Sequence, residues 1–169
     1  MIKLRKTYLF SLVLCCCSFA IIAASSFTPS TTEEVPYPEG FRGWTHVKSA
    51  LIEKGNPAFS HWGGFHHIYA NAKAVEGYKT GKFPDGSVLV FDVLEAMSKD
   101  SLVWEGDRRL IDVMVRDADR FKSTGGWGYE EFGGDSKTKR KIGALATTAC
   151  YSCHAQQKNN HNVFSKLRN

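Results

Sequence analysis

The run Pro84-Asp85-Gly86-Ser87-Val88-Leu89-Val90-Phe91-Asp92-Val93-Leu94-Glu95-Ala96 decides the fold class. Pro84-Asp85-Gly86 is a turn signature: proline presets φ, aspartate bonds its own backbone, and glycine accepts positive φ. The stretch Ser87–Ala96 is dense in Val, Leu and Phe, a strand composition. Working outward, Arg109–Arg116 (RLIDVMVR) reads as a second strand. Trp127–Phe132, after the Gly125-Gly126 break, reads as a third. Upstream, Trp62–Ala70 is aromatic and alternates loosely, which predicts another strand. Asn71 is placed to cap a short helix, Ala72–Thr80, closed by Gly81.

Near the front of this region, Trp44, Val47, Leu51 and Ile52 recur largely at spacings of three and four. That predicts a first helix over Phe41–Glu53, ended by Gly55-Asn56-Pro57. Asp117–Lys122 reads as a turn of helix and Gly133–Lys141 as a polar loop. Ala144–Lys158 reads as a C-terminal helix. The expected class is α+β, a mainly antiparallel β-sheet with a few helices.

The chain has 169 residues, and residues 1–25 are not expected to contribute to the domain. Lys3, Arg5 and Lys6 precede an apolar run from Tyr8 to Ala24, and small residues follow. This is the order of a secretory signal peptide: basic end, apolar middle, small-residue cleavage site. An uncleaved anchor is the alternative, because the run is near the lower limit for spanning a bilayer. Residues 26–40, rich in Ser, Thr, Pro and Glu, read as a flexible lead-in, and 41–169 as a single domain. Cleavage lowers the formal charge from +5 to +2 by removing those three basic residues. No nucleic-acid partner is expected from so mild a charge, and no membrane association after cleavage. The Lys137, Lys139, Arg140, Lys141 cluster is a solvated face.

Of five cysteines, only Cys150 and Cys153 lie beyond the leader. Cys150-Tyr151-Ser152-Cys153-His154 is C-x-x-C-H, the attachment signature of c-type haem. Residues three and four apart share a helix face. Two sulfurs can thus reach the vinyl groups of one haem edge, and the imidazole can reach the iron. Rival uses of the pair are weaker. Zinc requires four ligands, so His161 or His66 would have to assist. A thioredoxin-type pair follows a βαβ unit, and none is visible. A disulfide across two intervening residues closes a small, strained loop. One covalent haem c per chain is the expectation. Bacterial c-type haem is attached outside the cytoplasm, so an exported, periplasmic protein is expected too.

Function turns on the sixth position of the iron. An electron carrier fills it with Met or His. Met114 lies between valines and reads as core. Met97 is less easily set aside, and His46, His61, His66, His67 and His161 remain. His66 and His67 are adjacent on a strand, so they face opposite sides. No strong sixth ligand emerges. Glu130 and Glu131 alternate on their strand and read as surface residues, although one could face inward.

From Tyr37 onward the chain resembles the cytochrome P-460 family and its relative cytochrome c-prime-beta. The resemblance rests on F-R-G-W (Phe41–Trp44), I-Y-A-N (Ile68–Asn71) and T-G-K-F-P-D-G-S-V (Thr80–Val88). D-A-D-R-F (Asp117–Phe121), G-G-W-G-Y (Gly125–Tyr129) and the late C-Y-S-C-H complete it. It implies a mainly antiparallel sheet, a homodimer and five-coordinate iron. Hydroxylamine-oxidising members carry a lysine, bonded to the porphyrin, on the strand after the Asp-Gly turn. Counting five residues on from Gly86 reaches Phe91. A phenylalanine there resembles cytochrome c-prime-beta, whose distal face is capped by phenylalanines.

On that resemblance Phe91 is one cap residue and Phe65 its partner, with Phe59 the second candidate. A phenyl ring donates no hydrogen bond and excludes water, so such a pocket favours NO and CO over O₂. It also lacks a base for proton-coupled chemistry. The expected protein binds NO or CO for scavenging, storage or sensing, with a redox partner protein possible. The alternatives are a hydroxylamine-oxidising enzyme and a six-coordinate electron-transfer cytochrome.

Overall fold

Strands adjacent in sequence tend to be neighbours in space, and every consecutive pair in the described residues lies side by side and antiparallel. The computed structural model describes residues 34–168. Its strands are β1 (Thr45–Ile52), β2 (Gly64–Ala70), β3 (Val88–Lys99), β4 (Leu102–Arg116) and β5 (Trp127–Gly133). They form one sheet in chain order, a five-stranded meander. A short helix, α1 (Phe59–Trp62), precedes β2, and α2 (Ala72–Thr80) links β2 to β3. After β5 the chain enters a C-terminal helical run. A 3₁₀ turn (Gly143–Leu145), a π-helical turn (Thr147–Tyr151), α3 (Ser152–His154) and a further 3₁₀ stretch (Ala155–Asn160) follow one another. The expected α+β class is what the chain adopts, with the cysteine motif on that run.

Register divides the side chains between two faces. Ile68, Phe91, Asp112 and Glu131 form one cross-strand row, and Ala70, Leu89, Met114 and Tyr129 form the next. Both rows lie on one face, here called the inner face. Tyr69, Val90, Val113 and Glu130 lie on the other. The inner face is covered by α2 and the C-terminal run. Ala70, Ala74, Phe83, Leu89, Trp127, Tyr129 and Val163 are buried there. The outer face packs Val90, Ile111, Val113 and Phe132 under Val35 and Phe41. Each such aliphatic or aromatic side chain contributes roughly 1.5–3 kcal/mol by leaving water.

Several sequence expectations need correction. The stretch expected to be the first helix is a 3₁₀ turn (Phe41–Gly43) followed by β1. The cause is a β-bulge between His46 and Lys48. The bulge interrupts the alternation. Trp44 packs with the outer-face cluster and Val47 with the inner-face one, so covered apolar residues three apart imitate a helical period. The described part of the lead-in packs onto the domain. Val35 is 1% exposed, and Tyr37 packs edge-on against Phe132 at 5.2 Å. The leader and residues up to 33 lie outside the described residues. Trp62 belongs to α1 rather than to the strand. β3 and β4 run on to a hairpin turn at Asp100-Ser101, whose φ values are 51° and 66°. Two successive positive φ values mark a type I′ turn, here built without glycine.

Asn71 caps α2 as expected and does more. Its carboxamide oxygen accepts from the N–H of Ala74 at 2.9 Å and of Val88 at 3.0 Å. Its Nδ2 donates to the Gly86 carbonyl at 2.9 Å. One side chain therefore ties the helix, the Pro84–Gly86 turn and the start of β3. Asn71→Ala removes a cap and strands a ladder N–H. The expected loss is about 2–3 kcal/mol, measured as a lower urea midpoint with an unchanged slope.

Candidate functional site

The helical run is held at its entry by Glu130. This residue, read from sequence as surface, is 3% exposed. Its carboxylate accepts from the N–H groups of Ile142 at 2.9 Å and Lys141 at 3.3 Å, with Arg140 at 3.4 Å. It anchors the chain just before the helical run and works as a structural group on the outer face. The run then lays Cys150 over the inner face, packed with the cluster of Leu89, Trp127 and Tyr129. Cys150 is half-buried, Cys153 is exposed, and both are free thiols. Burial, with the Asp112 and Glu131 carboxylates nearby, pushes the Cys150 thiol up to about 12. A thiol held protonated in this way is a poor redox nucleophile, since that role uses the thiolate.

His154 is fixed in one tautomer. Its Nδ1 lies 2.7 Å from the Asn162 carbonyl oxygen, which can only accept, so Nδ1 carries the proton. Nε2 keeps its lone pair. Burial lowers the ring's pKa, which keeps it neutral. The imidazole stands between Tyr129 and Phe164, each centroid 5.0 Å away. A neutral imidazole oriented through a backbone carbonyl is the usual state of a metal-ligating histidine.

The inner face beside this motif is incompletely covered. Ile68, Phe91, Asp112 and Met114 sit in the middle of the sheet yet are only half-buried. Phe91 faces this side, and His66 stacks on it with centroids 4.6 Å apart. α1 leans over the far end of the row. Trp62 Nε1 donates to Asp112 Oδ2 at 2.8 Å, and His61 Nε2 lies 2.8 Å from Glu131 Oε2. Lys141 Nζ is 2.5 Å from Glu131 Oε1. Glu131 is 2% exposed, so its reading as a surface residue is corrected. Burial, reinforced by the Glu131 charge, pushes the Asp112 carboxyl up to about 7. The wall is half aromatic and half acidic, not the wholly apolar pocket expected.

Other expected residues are separated. Phe65 is adjacent to His66 and pairs with Leu94, so it points to the outer face, where it stacks on His67 at 6.3 Å. It cannot share a pocket with Phe91 in one chain, because strand neighbours alternate. Met97 is 42% exposed near the hairpin end. It lies roughly 27 Å along β3 from Leu89, which rules out a place beside His154. Met114 packs against the inner-face cluster but is only half-buried. Sequence reasoning passed over Asp112, and weighed His61 only as a possible sixth ligand and Trp62 only as the start of a strand. A lone charge inside the apolar strand RLIDVMVR was the available signal, since buried carboxylates are rare unless partnered.

A haem fits these residues. The C-x-x-C-H side chains adjoin a half-exposed apolar row, and the free Nε2 of His154 is prepared for iron. Two buried polar atoms, His66 Nδ1 and the Tyr129 hydroxyl, have no protein partner on this same face. Among the described residues no group of three or more His, Cys, Asp or Glu could hold a bare metal ion.

No curated protein matches the chain. The family model described as Cytochrome P460 matches residues 38–165, most of the sequence and all five strands. With its C-x-x-C-H run laid against the open inner face of the sheet, this chain belongs to the cytochrome P460 family of haem proteins.

Proposed function

We propose that this protein is a periplasmic mono-haem c-type cytochrome that binds NO or CO at a five-coordinate iron, as a gas scavenger, store or sensor. The observation that carries the reading is Phe91. It stands on the inner face, in one cross-strand row with Ile68 and Asp112, and the family resemblance equates it with the cross-linking lysine of hydroxylamine-oxidising members. Cys150 and Cys153 would hold the haem through thioether bonds and His154 would bind its iron, and the group so held would supply an iron able to take a diatomic molecule. Phe91 gives that side a surface that excludes water and donates no proton. His66 stacks on the ring and holds its orientation. Met97 lies too far along β3 to close the position.

The basic start and apolar run within residues 1–25 support export. No helix among the described residues is long and apolar enough to cross a membrane. A homodimer is supported by the exposed Met97, Leu102, Val103 and Trp104 at the hairpin end. A redox partner protein would reset the iron.

One observation favours a second reading, oxidation of hydroxylamine. Asp112 is the cross-strand neighbour of Phe91, and its carboxyl sits near 7 beside Glu131. A carboxyl so poised holds or accepts a proton at neutral pH on Oδ1, the oxygen that does not receive the Trp62 N–H. The missing lysine ranks this reading second.

The deciding measurement is the spectrum of the dithionite-reduced holoprotein. A broad high-spin Soret band without split visible bands is expected. Sharp low-spin α and β bands would replace this reading with the electron-transfer one and direct attention to His66. Intact mass should equal the mature chain plus one haem bonded only through the two cysteines. Phe91→Ala should raise the NO association rate about tenfold, equivalent to ~1.4 kcal/mol off the barrier. An unchanged rate counts against the cap. Asp112 makes a separate prediction. Reduction adds negative charge beside it and favours its protonated form, so the potential should fall as pH rises through about 7. Asp112→Asn should flatten that dependence in spectroelectrochemical titration.

A further inference from the structure

Away from the haem motif, on the outer face, two imidazoles converge on one point. His46 of β1 and His67 of β2 both flank Tyr69, with centroids 5.8 and 6.4 Å from its ring. Nε2 of His46 lies 2.8 Å from Ser49 Oγ, and Nδ1 of His67 lies 2.6 Å from the same oxygen. The two ring centroids are 5.9 Å apart. A single hydroxyl hydrogen cannot serve both rings, so Ser49 donates to one and accepts from the other.

The ring of His67 is supported from behind. Glu105 Oε1 is 2.7 Å from its Nε2, a close charge contact whose alignment falls short of a full hydrogen bond. That contact favours the proton on Nε2 and leaves the lone pair of Nδ1 directed at Ser49. Arg42 holds Glu105 at 3.0 Å and reaches the buried Asp92 at 3.2 Å, which fixes the carboxylate in turn. The His67 side chain is 13% exposed, whereas His46 is open to solvent. The arrangement is rigid on one side and accessible on the other.

We infer that His46, Ser49 and His67 form a surface site for one divalent late first-row transition ion, Cu(II) or Zn(II). Imidazole nitrogens are donors these ions favour, and a carboxylate behind a ligating histidine is the usual outer support. The Ser49 oxygen marks the point on which both nitrogens bear. An ion bound between the two nitrogens displaces the Ser49 hydroxyl from that point and takes His46 in the tautomer with its proton on Nδ1, with water completing the shell. The site is independent of the haem reading, because β2 sends His66 to the inner face and His67 to the outer one.

The test uses tag-free, haem-loaded protein. Calorimetric titration with Zn(II) should show one saturable ion per chain. Cu(II) should give an electron paramagnetic resonance spectrum with hyperfine coupling to two imidazole nitrogens. His46→Ala, at an exposed position that leaves the core intact, should abolish that binding while the haem spectrum stays unchanged. Glu105→Gln should weaken it about 10–100-fold. Absence of saturable binding by either ion, or binding undiminished in H46A, would overturn the assignment.

Discussion

The alternation of side chains across an antiparallel meander is the constraint on which the rest of this molecule depends. Because each strand pairs with its chain neighbour, a single register places Ile68, Phe91, Asp112 and Glu131 in one row. A shift of one residue in any strand would exchange inner for outer face along its whole length. The half-exposed row beside the haem motif exists only because four strands agree on that register. The outer-face imidazole pair rests on the same alternation, since His66 and His67 are sent apart by a single step along β2.

Placement of the helical run is an electrostatic matter as much as a packing one. Glu130 gathers backbone N–H groups from Lys141 and Ile142 and so sets where the run begins. Its neighbour Glu131 turns to the inner face and is met by His61 and Lys141. Two adjacent glutamates thus serve opposite faces, one holding backbone and the other charging the wall beside Phe91. Burying both is tolerable because each has close cationic or N–H partners. Asp112 lacks such a cation at short range, accepts only the Trp62 N–H, and holds its proton more tightly.

That mixture of phenyl ring and titratable carboxyl gives the site its chemical character. The aromatic side limits water and hydrogen bonding. The acidic side stores a proton within the same cross-strand row. The two favour different chemistry: the ring suits the proposed binding of a weakly polar diatomic ligand, and the carboxyl suits proton transfer.

Much of this was legible in the chain itself. The C-x-x-C-H spacing, the Pro84–Gly86 turn, the Asn71 cap with Gly81, and the strand composition of Ser87–Ala96 are local signals. Local stereochemistry suffices to read them. Tertiary structure alone decided that Thr45–Ile52 is a strand, because a bulge disguised its period. It also decided that Phe65 and Phe91 lie on opposite faces, and that Glu130 and Glu131 are buried. Those facts depend on which strand lies beside which and in what register, and on what then covers each face. Pairing energy of that kind is shared between residues far apart in sequence, so no single stretch carries it.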